Sequence, residues 1–145
     1  GTGLDDALQW QEQFPIRLKP GERWHKRTWG RSRPDRFHSV DINTQLYLEM
    51  KALAAIARVL GKNADVWEER ASALAERIQT RLFNPEAGIY QARSIEDGRF
   101  NEIVSLESFL PIYAGITPRA QAADLCRKYL LNPDHFYTIL PFPSL

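Results

Sequence analysis

Apolar residues recur at steps of three and four along the middle of the chain, a spacing that predicts two helices joined by a short turn. The first apolar stripe comprises Leu46, Met50, Leu53, Ala57 and Leu60, and the second comprises Trp67, Ala71, Leu74, Ile78 and Leu82. Asp41 and Asn63 are placed to cap the amino ends of the two helices, and Gly61 is placed to end the first. Because so few residues link them, the helices of this first pair (41–83) should run antiparallel.

Turn-forming residues after this pair predict a small β-hairpin. Asn84–Gly88 is typical of a turn, Ile89–Ala92 of a short strand, and Asp97–Gly98 of a second, tight turn. We therefore expect a hairpin between the first helix pair and the helices that follow.

A second helix pair is predicted over residues 103–131. Its first helix should span roughly Ile103–Tyr113, end early or kink at Pro111, and be capped by Gly115. Its second helix should begin at Thr117–Pro118, where a capping threonine precedes proline, and run to about Leu131. Two such pairs make a poor closed core. This all-α chain should therefore bury its stripes against neighbours, either in the rest of a longer parent protein or in another subunit.

The two ends of the chain lack the periodicity of a helix or a strand. Prolines and glycines interrupt residues 1–40, and a long irregular segment inside a compact domain tends to be functional. Residues 132–145 are rich in proline and aromatic side chains, including Phe136 and Phe142, which predicts an extended segment. Exposed aromatic rings are unusual on such a segment unless something covers them.

Composition places the chain among ordinary globular proteins of one domain. It has 145 residues, of which 43% are hydrophobic and 26% charged, and its net charge is +1. No apolar run approaches the ~20 residues that cross a membrane. No signal-peptide pattern opens the chain, so we expect no membrane association and a cytoplasmic location. One cysteine and three scattered histidines predict neither a disulfide nor a metal site, and we expect no cofactor.

Aromatic residues are interleaved with a cluster of basic residues between positions 17 and 38. The basic residues are Arg17, Lys19, Arg23, Lys26, Arg27, Arg31, Arg33 and Arg36, and Trp24, Trp29 and Phe37 lie among them. Such a mixture can bind nucleic acid, or it can form a long loop whose arginines pair with acids elsewhere. No RRM, KH, helix-turn-helix or zinc-finger signature accompanies it, so we expect no nucleic-acid partner.

Two adjacent carboxylates near the start of the chain are the first candidates for chemistry. Asp5 and Asp6 follow Gly3 and precede Trp10, with no regular period around them. A carboxylic acid beside an indole ring suits glycoside cleavage, in which an acid protonates the leaving oxygen and an apolar plate holds the sugar. The alternative is structural, since either aspartate could cap a helix or lie in a solvated turn.

Several segments, in the same order along the chain, resemble motifs of one group of glycoside hydrolases. The segments are Gly3–Trp10, Val40–Leu46, Phe83–Tyr90, Phe109–Ile116 and Leu140–Ser144. The first resembles the Gly-x-Asp-Asn/Asp-x-x-Arg-Trp motif of the α-glucosidase I, trehalase and mannosylglycerate hydrolase group, and the second resembles its Val-Asp-Leu-Asn segment. The likeness is greatest to the mannosylglycerate hydrolase and bacterial α-glucosidase branch. It implies that 1–145 is a single partial (α/α)6-barrel catalytic domain, made of antiparallel helix hairpins, a long N-terminal active-site loop (1–40), a small β-hairpin and an extended substrate rim (132–145).

The resemblance also implies the chemistry, which is inverting hydrolysis of an α-glycosidic bond in an α-glucoside or a mannosylglycerate-like substrate. Asp5 matches the general acid of the group, and a second carboxylate ~6.5–9.5 Å away would activate water. The substrate-binding residues that we predict are Asp6, Trp10, Trp29, Asn43 and Phe142. Trp10 could instead be a buried support, and Trp29 could pack beneath its loop rather than close over the site.

Some positions depart from the pattern of the group. Gln9 stands where arginine is usual, and Gly1 stands where an acid is usual. The catalytic base of the group lies beyond the position matching Leu145, so we expect the isolated chain to be inactive. Glu102 and Glu107 are the acids of the chain that could be proposed as a base, but polar positions flanking a helix explain them better.

The start of the first helix and the function of the chain each have an alternative interpretation. Asp41 is interpreted as a helix cap rather than a ligand, although Asn43 could face the sugar cleft. The alternative function is a non-enzymatic helical-repeat scaffold that binds a protein partner. A scaffold would explain the helix pairs and their open apolar faces, but not the motif Gly3–Trp10.

Overall fold

A computed structural model describes residues 37–138, and two long helices dominate this part of the chain. Helix α1 spans Val40–Val59, and helix α2 spans Asp65–Arg81. Gly61 follows α1 at a φ of +62°, a left-handed conformation that glycine adopts without steric cost. The Asn63 side chain accepts the first backbone N–H of α2 at 2.8 Å. The predicted end of α1 is therefore confirmed. The N-cap residue of α2 is Ala64 rather than the predicted Asn63, although Asn63 satisfies the first N–H of the helix.

Small buried residues form the centre of the seam between α1 and α2. The seam comprises Ala54, Ala57 and Ala64, against which the partly buried Trp67 packs. Alanine side chains let two helix axes approach closely, so these residues, rather than the predicted leucines, lie inside the pair. Leu46 is 41% exposed and Leu53 is 40% exposed. The prediction that the leucines of this stripe form the buried face of α1 is therefore wrong: Ala57 of the stripe is buried, whereas Leu46 and Leu53 form part of an apolar surface.

A pair of ionic contacts also bridges the two helices. The Glu68 carboxylate of α2 accepts hydrogen bonds from Lys51 at 2.6 Å and from Arg58, both on α1. The hydrogen bond from Lys51, followed by that from Arg58, holds the pKa of Glu68 below its usual value. All three side chains contact solvent, so the contribution of these pairs to stability is small.

Between residues 37 and 138, four two-residue strands form the β component. They are β1 Phe37–His38, β2 Phe83–Asn84, β3 Ile89–Tyr90 and β4 Arg93–Ser94. Strands β2 and β3 form the predicted antiparallel hairpin, and β4 pairs antiparallel with β1. Gly88 and Gly98, in the two predicted turns, both have a φ of +71°. The Asn84 side chain accepts the Glu86 N–H at 3.0 Å, which stabilises the hairpin turn.

The second helix pair is shorter and less regular than predicted. It consists of a 3-10 helix Leu106–Phe109, helix α3 Leu110–Tyr113, helix α4 Arg119–Leu125 and a π-helical turn Cys126–Leu130. The predicted start at Ile103 is wrong. Pro111 lacks the N–H that a continuous α-helix would direct at the Glu107 carbonyl, so the region divides into short pieces. Gly115 ends α3 at a φ of +73°, as predicted. Thr117 does not cap α4, because its hydroxyl donates to Tyr90 instead.

One hydrophobic core joins the helices to the hairpin. It comprises Val40, Ile78, Leu82, Ile89, Tyr90, Leu125, Tyr129 and Phe136. The Tyr90 hydroxyl donates to Gln79 of α2 and accepts from Thr117 at 3.0 Å. Gln79 in turn donates to Gln121 of α4 at 2.6 Å. A chain of hydrogen bonds therefore links α2, β3 and α4 around the buried tyrosine ring.

Phe136 packs inside this core. Its ring meets the ring of Phe109 edge to face, with a centroid distance of 5.3 Å, and only 4% of the residue is exposed. The hydrophobic core therefore buries this aromatic side chain, which the sequence pattern predicted to need a packing partner. The described fold is all-α with a small antiparallel β component, as the sequence predicts.

Candidate functional site

Most of the predicted site residues lie outside residues 37–138. These are Asp5, Asp6, Trp10, Trp29 and Phe142, and their roles stay predictions. Asn43 lies within the described range, near the amino end of α1. That helix end is therefore the part of the candidate site that can be described.

Asn43 is half-buried on the side of α1 that faces α2. Its amide nitrogen donates to the Ser39 carbonyl at 2.7 Å, which leaves the amide oxygen as an acceptor. The side chain lines a shallow cavity of about 170 Å³. Leu74, Ile78 and Leu82 form the apolar part of its lining, and His38, Arg77 and Arg81 form the polar part together with Asn43.

Asp41 lies on the opposite side of α1 from Asn43, because residues two apart on a helix are separated by ~200° around its axis. Asp41 is 2% exposed. Neither of its carboxylate oxygens has a hydrogen-bond partner in the described part of the chain. The N-cap position belongs to Ser39, so the predicted capping role of Asp41 is wrong: Asp41 sits inside the first turn, where the backbone is already helical.

Two polar side chains that follow Asp41 in α1 bond to the helix backbone. The Thr44 hydroxyl, three residues further along, donates to the Val40 carbonyl at 2.7 Å. On the other side of the helix, the Asn43 amide donates to the Ser39 carbonyl. Such bonds to the backbone are a local pattern common for short polar side chains. The Asp41 carboxyl group is therefore buried without a hydrogen bond from either side chain.

The other buried polar side chains of the described residues lie near the same helix end or on segments that contact its surroundings. They are Ser39, Thr44, Gln91, Glu107 and Ser108. The 3-10 helix that carries Glu107 and Ser108 contacts both α1 and β3, and Gln91 directly follows β3. Glu107 is 5% exposed, unlike an ordinary flanking polar residue, whereas Glu102 is exposed as interpreted. Sequence reasoning missed this polar interior because it depends on contacts between distant segments. The only local signal was an aspartate set between Val40 and Ile42.

Between residues 37 and 138, no group of three His, Cys, Asp or Glu side chains is placed to hold a metal ion. No helix of this range is long and apolar enough to cross a bilayer. Even α1, with 20 residues, carries Asp41, Glu49, Lys51 and Arg58 among its apolar positions.

The fold is similar to that of a solved enzyme. This is the GH63 mannosylglycerate hydrolase from Thermus thermophilus in complex with glucose, with a TM-score of 0.75 and 20% sequence identity. The match covers 99% of this chain and 39% of that one. The folds therefore correspond, and this chain spans less than half of the solved enzyme.

Two enzymes are similar to parts of this chain in sequence. A mannosylglycerate hydrolase of Rubrobacter radiotolerans is 29% identical over 80 residues, which are 55% of this chain and 18% of that protein. A periplasmic trehalase of Citrobacter koseri is 27% identical over 99 residues, which are 65% of this chain and 17% of that protein. The sequence profile of the mannosylglycerate hydrolase MGH1-like glycoside hydrolase domain matches residues 2–145, and this chain therefore belongs to that family.

Proposed function

We propose that this chain supplies the acid half of an inverting α-glycosidase site, for an α-glucoside or a mannosylglycerate-like substrate. The observation that carries the proposal is the family match, which extends over residues 2–145 and so includes the motif Gly3–Trp10. The names of the relatives, a mannosylglycerate hydrolase and a trehalase, support a glycosidic substrate. Family membership favours this function over a non-enzymatic helical-repeat scaffold.

In the proposed mechanism, Asp5 donates its proton to the glycosidic oxygen as the bond to the anomeric carbon breaks. A carboxylate outside this chain removes a proton from the water that attacks the opposite face, which inverts the configuration. The two carboxyl groups must stand ~6.5–9.5 Å apart to leave room for that water. A positioned acid contributes on the order of 10²–10⁴ in rate.

The remaining predicted residues bind the sugar in this proposal. Trp10, Trp29 and Phe142 offer apolar plates for the faces of the sugar ring, and Asp6 accepts hydrogen bonds from its hydroxyl groups. Asn43 contributes its free amide oxygen, since its nitrogen is held by the Ser39 carbonyl. The cavity beside Asn43 contacts α2, so Asn43 lies at one margin of the proposed site.

A small nucleophile can replace the missing base and so test Asp5 on the chain itself. We would incubate the chain with mannosylglycerate, trehalose and aryl α-glucosides, with and without excess azide, and identify the products by proton NMR. Azide attacks the anomeric carbon without needing a base, so the expected product is the β-glycosyl azide, formed together with the protonated leaving group. Without azide, we expect no sugar release.

The control variants separate the acid from general effects on the fold. Asp5→Asn should abolish glycosyl azide formation from substrates with poor leaving groups, whereas Asp134→Asn, at an exposed position, should not. Release of the inverted sugar without azide, lost in Asp5→Asn, would show that a base is already present and contradict the missing-base part of the proposal. A folded chain that neither binds sugar nor forms the azide product would refute the proposed function.

We also propose that the rest of a barrel, or another subunit, completes this site. The chain spans 39% of the solved enzyme that it resembles, which supports a larger catalytic unit. The exposed apolar residues Leu46 and Leu53 of α1 support a neighbour on that face. A cytoplasmic location stays a prediction, since one relative is named as periplasmic.

A further inference from the structure

We propose that Asp41 is a sugar-binding carboxylate, whose two oxygens accept hydrogen bonds from hydroxyl groups of the bound substrate. This inference rests on the proposed glycosidase function and adds a residue that neither the motif Gly3–Trp10 nor the general acid accounts for.

The fold does not compensate the burial of Asp41. The residue is 2% exposed, and both carboxylate oxygens are buried without a hydrogen-bond partner among the described residues. An ionised group taken out of water without a partner is strongly unfavourable, and such groups in native proteins have a reason to be retained. Glu68 shows the contrast, because Lys51 and Arg58 both donate to its carboxylate at the protein surface.

The helix that carries Asp41 favours an anion at this position. Asp41 lies in the first turn of the 20-residue helix α1, where the macrodipole places partial positive charge. The Thr44 hydroxyl, three residues along α1 from Asp41, donates to the Val40 carbonyl rather than to this carboxylate. Both carboxylate oxygens of Asp41 can therefore accept hydrogen bonds from a group that the described residues do not supply.

The surroundings of Asp41 suit a neutral polyol better than a cation. Within residues 37–138 no group of three His, Cys, Asp or Glu side chains is placed to hold a metal ion. Ser39 directly precedes α1, and the 3-10 helix that contacts α1 carries the buried polar residues Glu107 and Ser108. Adjacent sugar hydroxyl groups can donate simultaneously to the two oxygens of one carboxylate, and a hydrogen bond with an ionised acceptor is about twice as strong as a neutral one.

The test compares two aspartates in equivalent helical positions. Asp65 lies in the first turn of α2, as Asp41 lies in the first turn of α1, but Asp65 is exposed. Binding of glucose and of methyl α-mannoside to the chain would be measured by ligand-observed NMR, and unfolding by urea titration, for wild type, Asp41→Asn and Asp65→Asn. Asp41→Leu serves as a second, apolar variant of similar size.

We expect Asp41→Asn to raise the dissociation constant of the sugar on the order of tenfold, because a charge-assisted hydrogen bond becomes a neutral one. The same variant should unfold at the same or a higher urea concentration, since a buried carboxyl group without a hydrogen-bond partner among the described residues is removed. Asp41→Leu should bind still more weakly without loss of stability. Asp65→Asn should leave sugar binding unchanged.

Monodeoxy glucoses identify the contact and decide mixed results. Each of the two sugars that lack one contacted hydroxyl should show a smaller difference in affinity between wild type and Asp41→Asn than the other sugars show. An equal loss of affinity for every deoxy sugar would show an indirect effect and overturn the inference, as would a destabilised Asp41→Asn that binds sugar normally. If wild type binds no sugar at all, the proposed function fails and the inference fails with it. If wild type binds and Asp41→Asn binds equally well, only the inference fails.

Discussion

Tyr90→Phe removes one hydroxyl from the centre of the core and tests the hydrogen-bonded chain that links α2, β3 and α4. Tyr90 is completely buried. Its hydroxyl donates to the Gln79 side chain and accepts from the Thr117 hydroxyl at 3.0 Å. The variant keeps the ring and its packing, so the change isolates these two hydrogen bonds.

The expected loss of unfolding free energy is about 1–3 kcal/mol. An intramolecular hydrogen bond contributes a net ~1 kcal/mol, and a buried acceptor that loses its donor costs about as much again or more. Gln79 loses its donor in the variant, and its nitrogen remains committed to Gln121 at 2.6 Å. Thr117 is only half-buried, so water can replace its lost acceptor and limit the cost.

Urea unfolding, followed by far-UV circular dichroism and tryptophan fluorescence, measures this loss. With a slope of about 2 kcal/mol per molar urea, a loss of about 2 kcal/mol lowers the midpoint by about 1 M. Tyr113→Phe is the matched control, because the same hydroxyl is removed from a side chain on a residue that is 81% exposed. Its effect should stay within about 0.5 kcal/mol.

A double-mutant cycle with Thr117→Val checks the network itself. If the hydroxyls of Tyr90 and Thr117 interact as described, the two changes should be non-additive by about 0.5 kcal/mol or more. A Tyr90→Phe variant as stable as Tyr113→Phe, or strict additivity in the cycle, would refute the reasoning that this network holds the helices to the hairpin.

Two further predictions concern the same core and the helix seam. Burial raises the pKa of Tyr90, against a smaller lowering effect of the hydrogen bond from Thr117, so the folded state retains this proton at a pH where the unfolded state releases it. The stability that this proton contributes is fully present below the unfolded pKa of ~10 and is lost as the pH rises through the higher folded value. Urea titrations from pH ~9 to ~11 should therefore show a steeper loss of unfolding free energy for wild type than for Tyr90→Phe. At the seam, Ala54 is 0% exposed, so Ala54→Leu should lower the unfolding free energy by about 1–3 kcal/mol through overpacking. The exposed neighbour Ala55 provides the control, and an Ala55→Leu variant that is equally destabilised in urea would contradict the description of the seam.

Features that depend on a few consecutive residues were predictable from the sequence. Gly61 ends α1 through the conformation of its own backbone. Asn63 accepts the first N–H of α2, which belongs to a residue only two positions away. The turn at Gly88 follows the same logic, since only local dihedral angles decide it. Pro111 was correctly expected to interrupt a helix, but the extent of the irregular helix before it was not.

Features that depend on which helix face meets a neighbour were not predictable in the same way. The 3.6-residue period of α1 places Ala57 on the same face as Leu46 and Leu53. It does not show that the close approach of α2 also buries Ala54 and leaves both leucines exposed. Thr117 is a second example. Its place before a proline predicted a helix cap, but nothing in the sequence indicated its hydrogen bond to Tyr90, 27 residues earlier.

For the candidate site, the sequence by itself determined the family resemblance, the order of its motifs and the candidates Asp5, Asp6, Trp10, Trp29, Asn43 and Phe142. It also determined where the chain turns, since local dihedral preferences act before any tertiary contact forms. Only the tertiary structure decided that Asp41 is buried and that Asn43 lies beside α2 rather than beside Asp41. The physical reason is that burial and hydrogen-bond satisfaction are set by groups far away in sequence, so an aspartate that looks like a helix cap in the sequence can be an uncompensated carboxylate in the fold.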